Sequence, residues 1–274
     1  MPELPEVETV VTDLRPRLVG VRIERTDLRF LGMVRHPAPE RFVAGTRGRR
    51  IDSLDRRGKF ILAGLDSGEL LVVHLGMTGQ LTEAARDVPL APHTHAVFDL
   101  ETGGQLRYRD PRRFGRLLLG TEAELISFKK LPELGPEPLD EAFTAGDLYS
   151  RLRGRRAPLK VLLLDQAVLA GVGNIYADES CFRARLRPDR PAGGISRAAV
   201  ARLHGALRES LTIGIQNRGT SISDYVDGRG EPGRQQETLM VYGRAGRPCP
   251  ACGRPLRLTR LGGRSTVYCP RCQR

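Results

Sequence analysis

The sequence predicts an α+β protein: an N-terminal antiparallel β-sandwich or barrel with one helix packed on it, then a helical domain, then a small metal-bound hairpin. Three observations carry that reading. A helix-period apolar pattern opens the chain, short strand-like runs continue to about residue 120, and four of the five cysteines close the chain as C-x2-C-x16-C-x2-C.

The elements follow in order. Pro5 suits the first turn of a helix, where its missing N–H costs nothing. Val7, Val10, Val11, Leu14 and Leu18 then recur at helical spacing. Strand-like pieces follow, among them Phe60-Ile61-Leu62, Leu70 to Val73, Ala96-Val97-Phe98 and Leu106-Arg107-Tyr108. Thr102-Gly103-Gly104 separates the last two as a hairpin turn would. Leu131 to Pro138 is rich in proline and glycine and reads as a linker or hinge. Pro158 to Gln166 is helical in pattern. Ser196 is placed to cap a helix whose apolar face is Val200, Leu203, Leu207 and Leu211.

Composition narrows the functional classes. Of 274 residues 40% are hydrophobic and 28% charged, which fits a globular chain. No stretch approaches the ~20 apolar residues of a membrane helix, and the acidic start MPELPEVETVV lacks the marks of a signal peptide. The expectation is a soluble, cytoplasmic protein. The formal net charge of +12 favours a polyanionic partner such as nucleic acid. Only four of the 44 basic residues are lysines (Lys59, Lys129, Lys130 and Lys160), so each retained ammonium is a weak pointer to chemistry.

Cys249, Cys252, Cys269 and Cys272 have the spacing of four thiolates closing a tetrahedron around one structural Zn2+. Cys181 stands apart and reads as a small buried apolar residue. Between the cysteine pairs, Leu256 to Leu261 and Arg264 to Tyr268 flank Gly262-Gly263, an alternating hairpin with Arg264 at its tip. A guanidinium there suits a phosphate.

Other pieces bear on chemistry. Removal of Met1 would leave Pro2 with a free secondary amine, able to attack an aldehyde-like carbon and form an iminium. At neutral pH an α-amino group carries roughly a hundredfold more free base than a lysine, an advantage that proline's basicity trims. Glu3 and Glu6 offer paired carboxylates beside that amine, although an acid in a helix's first turn also serves the dipole alone. Lys59 follows Arg56-Arg57-Gly58 and suits a phosphate contact. His74-Leu75-Gly76-Met77 and Asp110-Pro111-Arg112-Arg113-Phe114-Gly115 set large apolar groups beside basic ones at turns, the make-up of a wedge between bases. His93-Thr94-His95 places two imidazoles on one strand face without a third ligand, so a phosphate contact or plain surface is the better reading. Gly171-Val172-Gly173-Asn174 opens a helix whose N-terminus suits phosphate, or else is an ordinary turn.

Together these pieces resemble one family. Pro2-Glu3-Leu4-Pro5-Glu6-Val7-Glu8-Thr9, the His74 and Asp110 turns, Gly171 to Ala177, Val241-Tyr242-Gly243-Arg244 and the four-cysteine finger are similar to the bacterial formamidopyrimidine-DNA glycosylases, in that family's order from residue 2 to 272. The resemblance implies a β-sandwich catalytic domain over 1–130, a linker over 131–148, a helix–two-turns–helix domain over 149–240 and a zinc finger over 241–274. It implies excision of oxidised purines, notably 8-oxoguanine opposite cytosine and formamidopyrimidines, from double-stranded DNA, followed by β,δ-elimination, by a monomer associated with the nucleoid.

By the same resemblance Pro2 forms the Schiff base, Glu3 moves protons at the sugar, and Glu6 supports them. Lys59 and Arg264 contact phosphate and assist the eliminations. His74, His93, Arg155, Lys160 and Asn174 hold the backbone, and Met77, Arg112 and Phe114 fill the hole left by the flipped base. A mobile lesion loop falls at about 217–237, with Gly219, Thr220, Ser221 or Ser223 against the base and Tyr242 beyond it. Two rivals share parts of this pattern: an endonuclease VIII-like glycosylase for oxidised pyrimidines, and a zinc-bearing DNA-binding protein without catalysis. The Leu4-Pro5-Glu6-Val7 start, the Arg112 and Phe114 pair and the long loop argue against the first; Pro2 and Glu3 are superfluous to the second.

Overall fold

A computed structural model describes residues 2–127, 133–222 and 224–274. Leu131 and Pro132 of the linker stretch and Ser223 of the loop lie outside the described residues. The chain forms two compact units. One is Met1–Glu133 with Asn217–Arg234, the other Leu134–Gln216 with Gln235–Arg274.

The first unit begins with α1 (Leu4–Leu18), whose Val7, Val10, Val11, Leu14 and Leu18 are fully buried, as their spacing requires. Then come β1 (Ile23–Leu28), β2 (Val34–His36), α2 (Pro39–Thr46), β3 (Ile51–Arg57), β4 (Phe60–Leu65), β5 (Leu70–His74), β6 (Gln80–Ala85), β7 (Thr94–Leu100), β8 (Gly104–Arg109), β9 (Arg116–Gly120) and α3 (Glu122–Ser127). Two separate sheets result, ordered β1-β7-β8-β6 and β2-β9-β5-β4-β3. The fold is therefore a sandwich, not a closed barrel. Its core joins Leu54, Ile61, Leu71 and Val73 of one sheet to Ala96, Phe98, Leu106 and Tyr108 of the other. Each fully buried large apolar side chain contributes about 1.5–3 kcal/mol. The expected hairpin is β7–β8, with Asp99 opposite Gln105 and Gly103 at φ +86° in its turn. One pairing departs from the antiparallel expectation: β2 runs parallel to β9.

The second unit holds α4 (Ala145–Leu152), α5 (Leu159–Leu164), α6 (Asn174–Arg183), α7 (Arg197–Gln216) and the hairpin β10 (Arg257–Leu261) with β11 (Arg264–Tyr268). Ser196 Oγ accepts the Ala199 N–H at 3.3 Å and so caps α7, whose Val200, Leu203, Leu207 and Leu211 are buried. The zinc hairpin clusters with this unit rather than standing apart. Much of the expected linker is also structured. Gly135 N–H donates to Gln166 O at 2.8 Å, Ala170 N–H donates to Pro136 O at 3.0 Å, and α4 begins at Ala145.

Within the helical domain expected over 149–240, one segment clusters elsewhere. The segment Asn217–Arg234 returns to the sandwich unit. Arg218 Nη2 lies 2.5 Å from Asp13 of α1 and also pairs with Asp227, which is fully buried. The loop is pinned rather than loose at these points.

Candidate active site and DNA-contact elements

The end of α1 nearest Pro2 buries two acids. Pro2 is itself buried, and Glu3 and Glu6 are 2% and 1% exposed. Buried carboxylates need donors. Glu6 finds them in the backbone: its Oε2 accepts the Glu3 N–H at 2.9 Å and its Oε1 accepts the Thr220 N–H at 2.8 Å. Tyr225 Oη donates to Glu6 O at 3.1 Å, and burial raises that phenol's pKa well above its ordinary range. Glu6 thus caps its own helix and fastens the 217–234 segment to it.

Lys59 follows Gly58, which turns β3 into β4 at φ +58°. Arg56 Nε meets Glu8 Oε2 at 2.7 Å, and Arg56 Nη1 donates to Gly58 O at 3.0 Å, so α1 holds this turn. Phe60 pairs across the sheet with His74, which brings Lys59 and His74 to one edge. Burial, then the charges of Arg116 and Lys59, push the His74 imidazole down to about 4. The ring is neutral at pH 7, and its Nδ1 accepts the Gly76 N–H at 3.2 Å.

The two turns expected to act as a wedge press against each other. A Cβ on Gly76 would lie 2.5 Å from Gly115 N, and one on Gly115 would lie 1.7 Å from Tyr108 Oη. Asp110, fully buried, organises the second turn. It accepts from Thr78 Oγ1 at 2.5 Å and from Gly115 N–H at 2.8 Å, while its carbonyl oxygen bonds His95 Nε2 at 2.9 Å. Phe114 is left 55% exposed with the Arg112 guanidinium 4.8 Å from its ring centre. Met77 follows Gly76 and is half-buried. His93 is exposed at φ +67°, and the buried His95 is taken up by Asp110, so the two histidines make no metal pair.

In the second unit Asn174 starts α6 behind Gly171 and Gly173, and its Nδ2 reaches Ser265 Oγ at 3.4 Å. Its Oδ1 is buried without a hydrogen-bond partner. Arg155 and Arg264 are exposed, Arg264 beside the Gly262-Gly263 turn. Lys160, expected to hold the DNA backbone, is placed inside this unit. It is fully buried, and its Nζ meets Asp178 Oδ1 at 2.7 Å, Ser265 O at 2.7 Å and Thr266 Oγ1 at 3.0 Å. Two of these contacts are hydrogen bonds and the third is an ion pair. The ammonium ties β11 to α6. Burial pushes Asp178 up to about 6 despite that neighbour.

Thr220 and Ser221 lie in the first unit and Tyr242 in the second. Ser221 Oγ donates to Tyr225 O at 2.7 Å and accepts the Gly233 N–H at 2.9 Å, closing the loop on itself. The Tyr242 N–H, with those of Met240 and Val241, donates to the buried Glu179 at 2.9 Å. Sequence reasoning gave no role to Asp110, Asp178, Glu179 or Asp227. Their one local signal is an acid inside an otherwise apolar or turn-forming stretch.

The four cysteine Sγ atoms lie within 4.8 Å of one another, with Cys249 to Cys272 at 3.9 Å and Cys252 to Cys269 at 3.5 Å. Four thiolates about 2.3 Å from a zinc stand about 3.8 Å apart, so the set fits one structural zinc. Among the described residues it is the one cluster able to hold a metal, and no helix is long and apolar enough to cross a membrane.

A sandwich with buried acids behind its N-terminal proline, a turn that exposes Phe114 beside Arg112, and a basic four-cysteine hairpin define the class: a DNA glycosylase of the base-excision type. The chain matches the formamidopyrimidine-DNA glycosylase N-terminal domain over residues 1–117, the H2TH domain of the same enzymes over 134–226, and the zinc finger found in FPG and IleRS over 246–274. It is 55% identical to the formamidopyrimidine-DNA glycosylase of Moorella thermoacetica, with 95% of each chain covered. Among solved structures it is similar to MutM (FPG) from Thermus thermophilus, at 45% identity and a TM-score of 0.88 over 99% of this chain and 98% of that one. It is also similar to the Lactococcus lactis Fpg in complex with DNA containing an abasic site, at 33% identity and a TM-score of 0.92 over 99% of each. The chain belongs to the formamidopyrimidine-DNA glycosylase family.

Proposed function

We propose that this enzyme excises 8-oxoguanine opposite cytosine and formamidopyrimidines through the amine of Pro2, and then cuts the strand by β,δ-elimination. The observation that carries the reading is the Glu3–Glu6–Thr220 hydrogen-bond chain behind Pro2. Solved complexes of the Lactococcus lactis relative contain Fapy-dG or abasic-site DNA, which supports the substrate class.

A base inside a duplex is out of reach, so the lesion nucleotide is flipped at a cost of a few kcal/mol. Met77, Arg112 and Phe114 offset that cost by filling the gap, and His74, His93, Arg155, Asn174 and Arg264 hold phosphates. Burial favours a neutral amine at Pro2 once Met1 is removed. The nitrogen lone pair forms a bond to C1′ as the C1′–N9 pair leaves with the base, which takes up a proton. Glu3 protonates O4′ as the sugar opens, and the amine's own proton departs to give the iminium. That electron sink acidifies C2′–H. Loss of this proton expels the 3′ phosphate, and a second elimination expels the 5′ phosphate, with Lys59 and Arg264 neutralising the leaving oxygens. The zinc takes no part in these steps; it holds the hairpin that carries Arg264. The enzyme acts as a monomer in the cytoplasm, on the nucleoid.

Borohydride trapping on a duplex carrying 8-oxoguanine opposite cytosine, with mass mapping of the adduct, tests this. A cross-link on Pro2 is expected. A cross-link on Lys59 would reassign the nucleophile, and tight binding without any adduct would overturn the catalytic reading.

A further inference from the structure

A cavity of about 840 Å³ opens in the second unit between the C-terminal end of α6, the start of α7 and the turn that holds Cys272. Arg183, Arg185, Arg190, Arg202, Arg271 and Arg274 line it. Glu209 is the one side-chain carboxylate of the lining, and Arg183 already holds it at 2.5 Å. Among the described residues the guanidinium groups of Arg185, Arg271 and Arg274 have no carboxylate partner, and Arg183 Nε is buried without any hydrogen bond. Cations gathered this way repel one another until an anion arrives.

Two further features point to the same ligand charge. The cavity reaches Ser196, at the N-terminal end of the 20-residue helix α7, where the helix dipole favours negative charge. Arg185 holds a left-handed backbone at φ +58°, which arginine rarely adopts. Phe182 O accepts its N–H at 3.0 Å, and its own carbonyl accepts the Arg274 N–H at 3.1 Å.

Of the residues expected to hold DNA in this unit, Asn174 is set apart from the cavity. Asn174 lies at the opposite end of α6, about 14 Å away along the axis. The arginines come from separate stretches of chain that share one cavity, around residues 183–190, 202, 271 and 274. Phe182, Leu186, Ala199 and Met240 add an apolar lining that a nucleic-acid backbone would not use.

We propose that this cavity binds an acidic segment of a partner protein, with carboxylates on the arginines and an apolar side chain against Met240. The test uses the full zinc-bearing chain bound to a duplex with a tetrahydrofuran abasic analogue. The probe is a fluorescein-labelled peptide of alternating aspartate and leucine, read by anisotropy. Saturable binding is expected, weakened about tenfold or more by Arg185→Gly with Arg202→Glu, while duplex affinity stays within about twofold. Glycine suits the positive φ at 185, so this variant should fold; Arg202→Glu alone repeats the test if zinc is lost. Three results would overturn the proposal: no saturable binding, equal binding to the variant, or displacement of the peptide by excess duplex. The last would assign the arginines to nucleic acid.

Discussion

The Glu6 carboxylate and the Thr220 backbone N–H, 214 residues apart in the chain, meet at 2.8 Å, and the same carboxylate holds the Glu3 N–H. One buried acid thus couples the residue behind Pro2 to the loop expected to grip the lesion. In Glu6→Gln the amide keeps one acceptor and turns an NH2 group against the other backbone donor. Stability should fall by about 1–3 kcal/mol. Single-turnover excision of 8-oxoguanine should slow by about tenfold or more, and nicking at a preformed abasic site should slow less, because only base release needs the loop. Equal losses on both substrates would reduce Glu6 to a scaffold residue.

The contact between the two wedge turns leaves no room for a methyl group. In Gly115→Ala the new Cβ meets Tyr108 Oη and, at 2.6 Å, His74 O. We expect at least about 2 kcal/mol of destabilisation in urea unfolding. Weaker binding to abasic-site duplex than to undamaged duplex should accompany it. An alanine variant with unchanged stability would mean that the turns part at no cost.

Lys160 and Arg264 separate under salt. Removing one phosphate contact shallows the slope of log affinity against log salt by about 0.9. Arg264→Ala should do so. Lys160→Met should leave the slope intact yet cost about 3–5 kcal/mol of stability, since Asp178 is left buried without its cation. A shallower slope in the methionine variant would restore Lys160 to the DNA contacts.

The burial of Lys160 shows which parts of the fold and site were legible in the sequence. The face of α1, the β7–β8 hairpin and the cysteine tetrad rest on local spacing, and spacing is visible in one dimension. Lys160 follows an apolar pattern and is charged, so surface is the natural reading; only Asp178 and β11, distant in sequence, make burial tolerable. The same holds for Arg218, whose partners Asp13 and Asp227 decide where the loop belongs. The parallel β2 strand is three residues long and carries no pattern of its own.

His74 supplies a pH signature. Its folded value of about 4 lies below the ordinary 6.5, so the unfolded chain takes up a proton first as the pH falls. The contribution of the neutral ring is complete above about 6.5 and is lost progressively down to about 4, by up to about 3 kcal/mol. His74→Asn keeps an acceptor for the Gly76 N–H and removes the titration. The difference between wild-type and variant unfolding free energies should therefore shrink from pH 7 to pH 4. A constant difference would mean that the imidazole titrates alike in both states.

The chain's excursion at Asn217–Arg234 has a consequence for biosynthesis. Domains form as units while the ribosome works, N-terminal first. Here the first unit is not complete when its strands are, because a piece of it is translated only after α7. A nascent chain ending before that point carries Pro2 and Glu3 but has no Thr220 to hold Glu6. The N-terminal end is made first and assembled late, so a prematurely terminated product lacks the segment that holds Glu6.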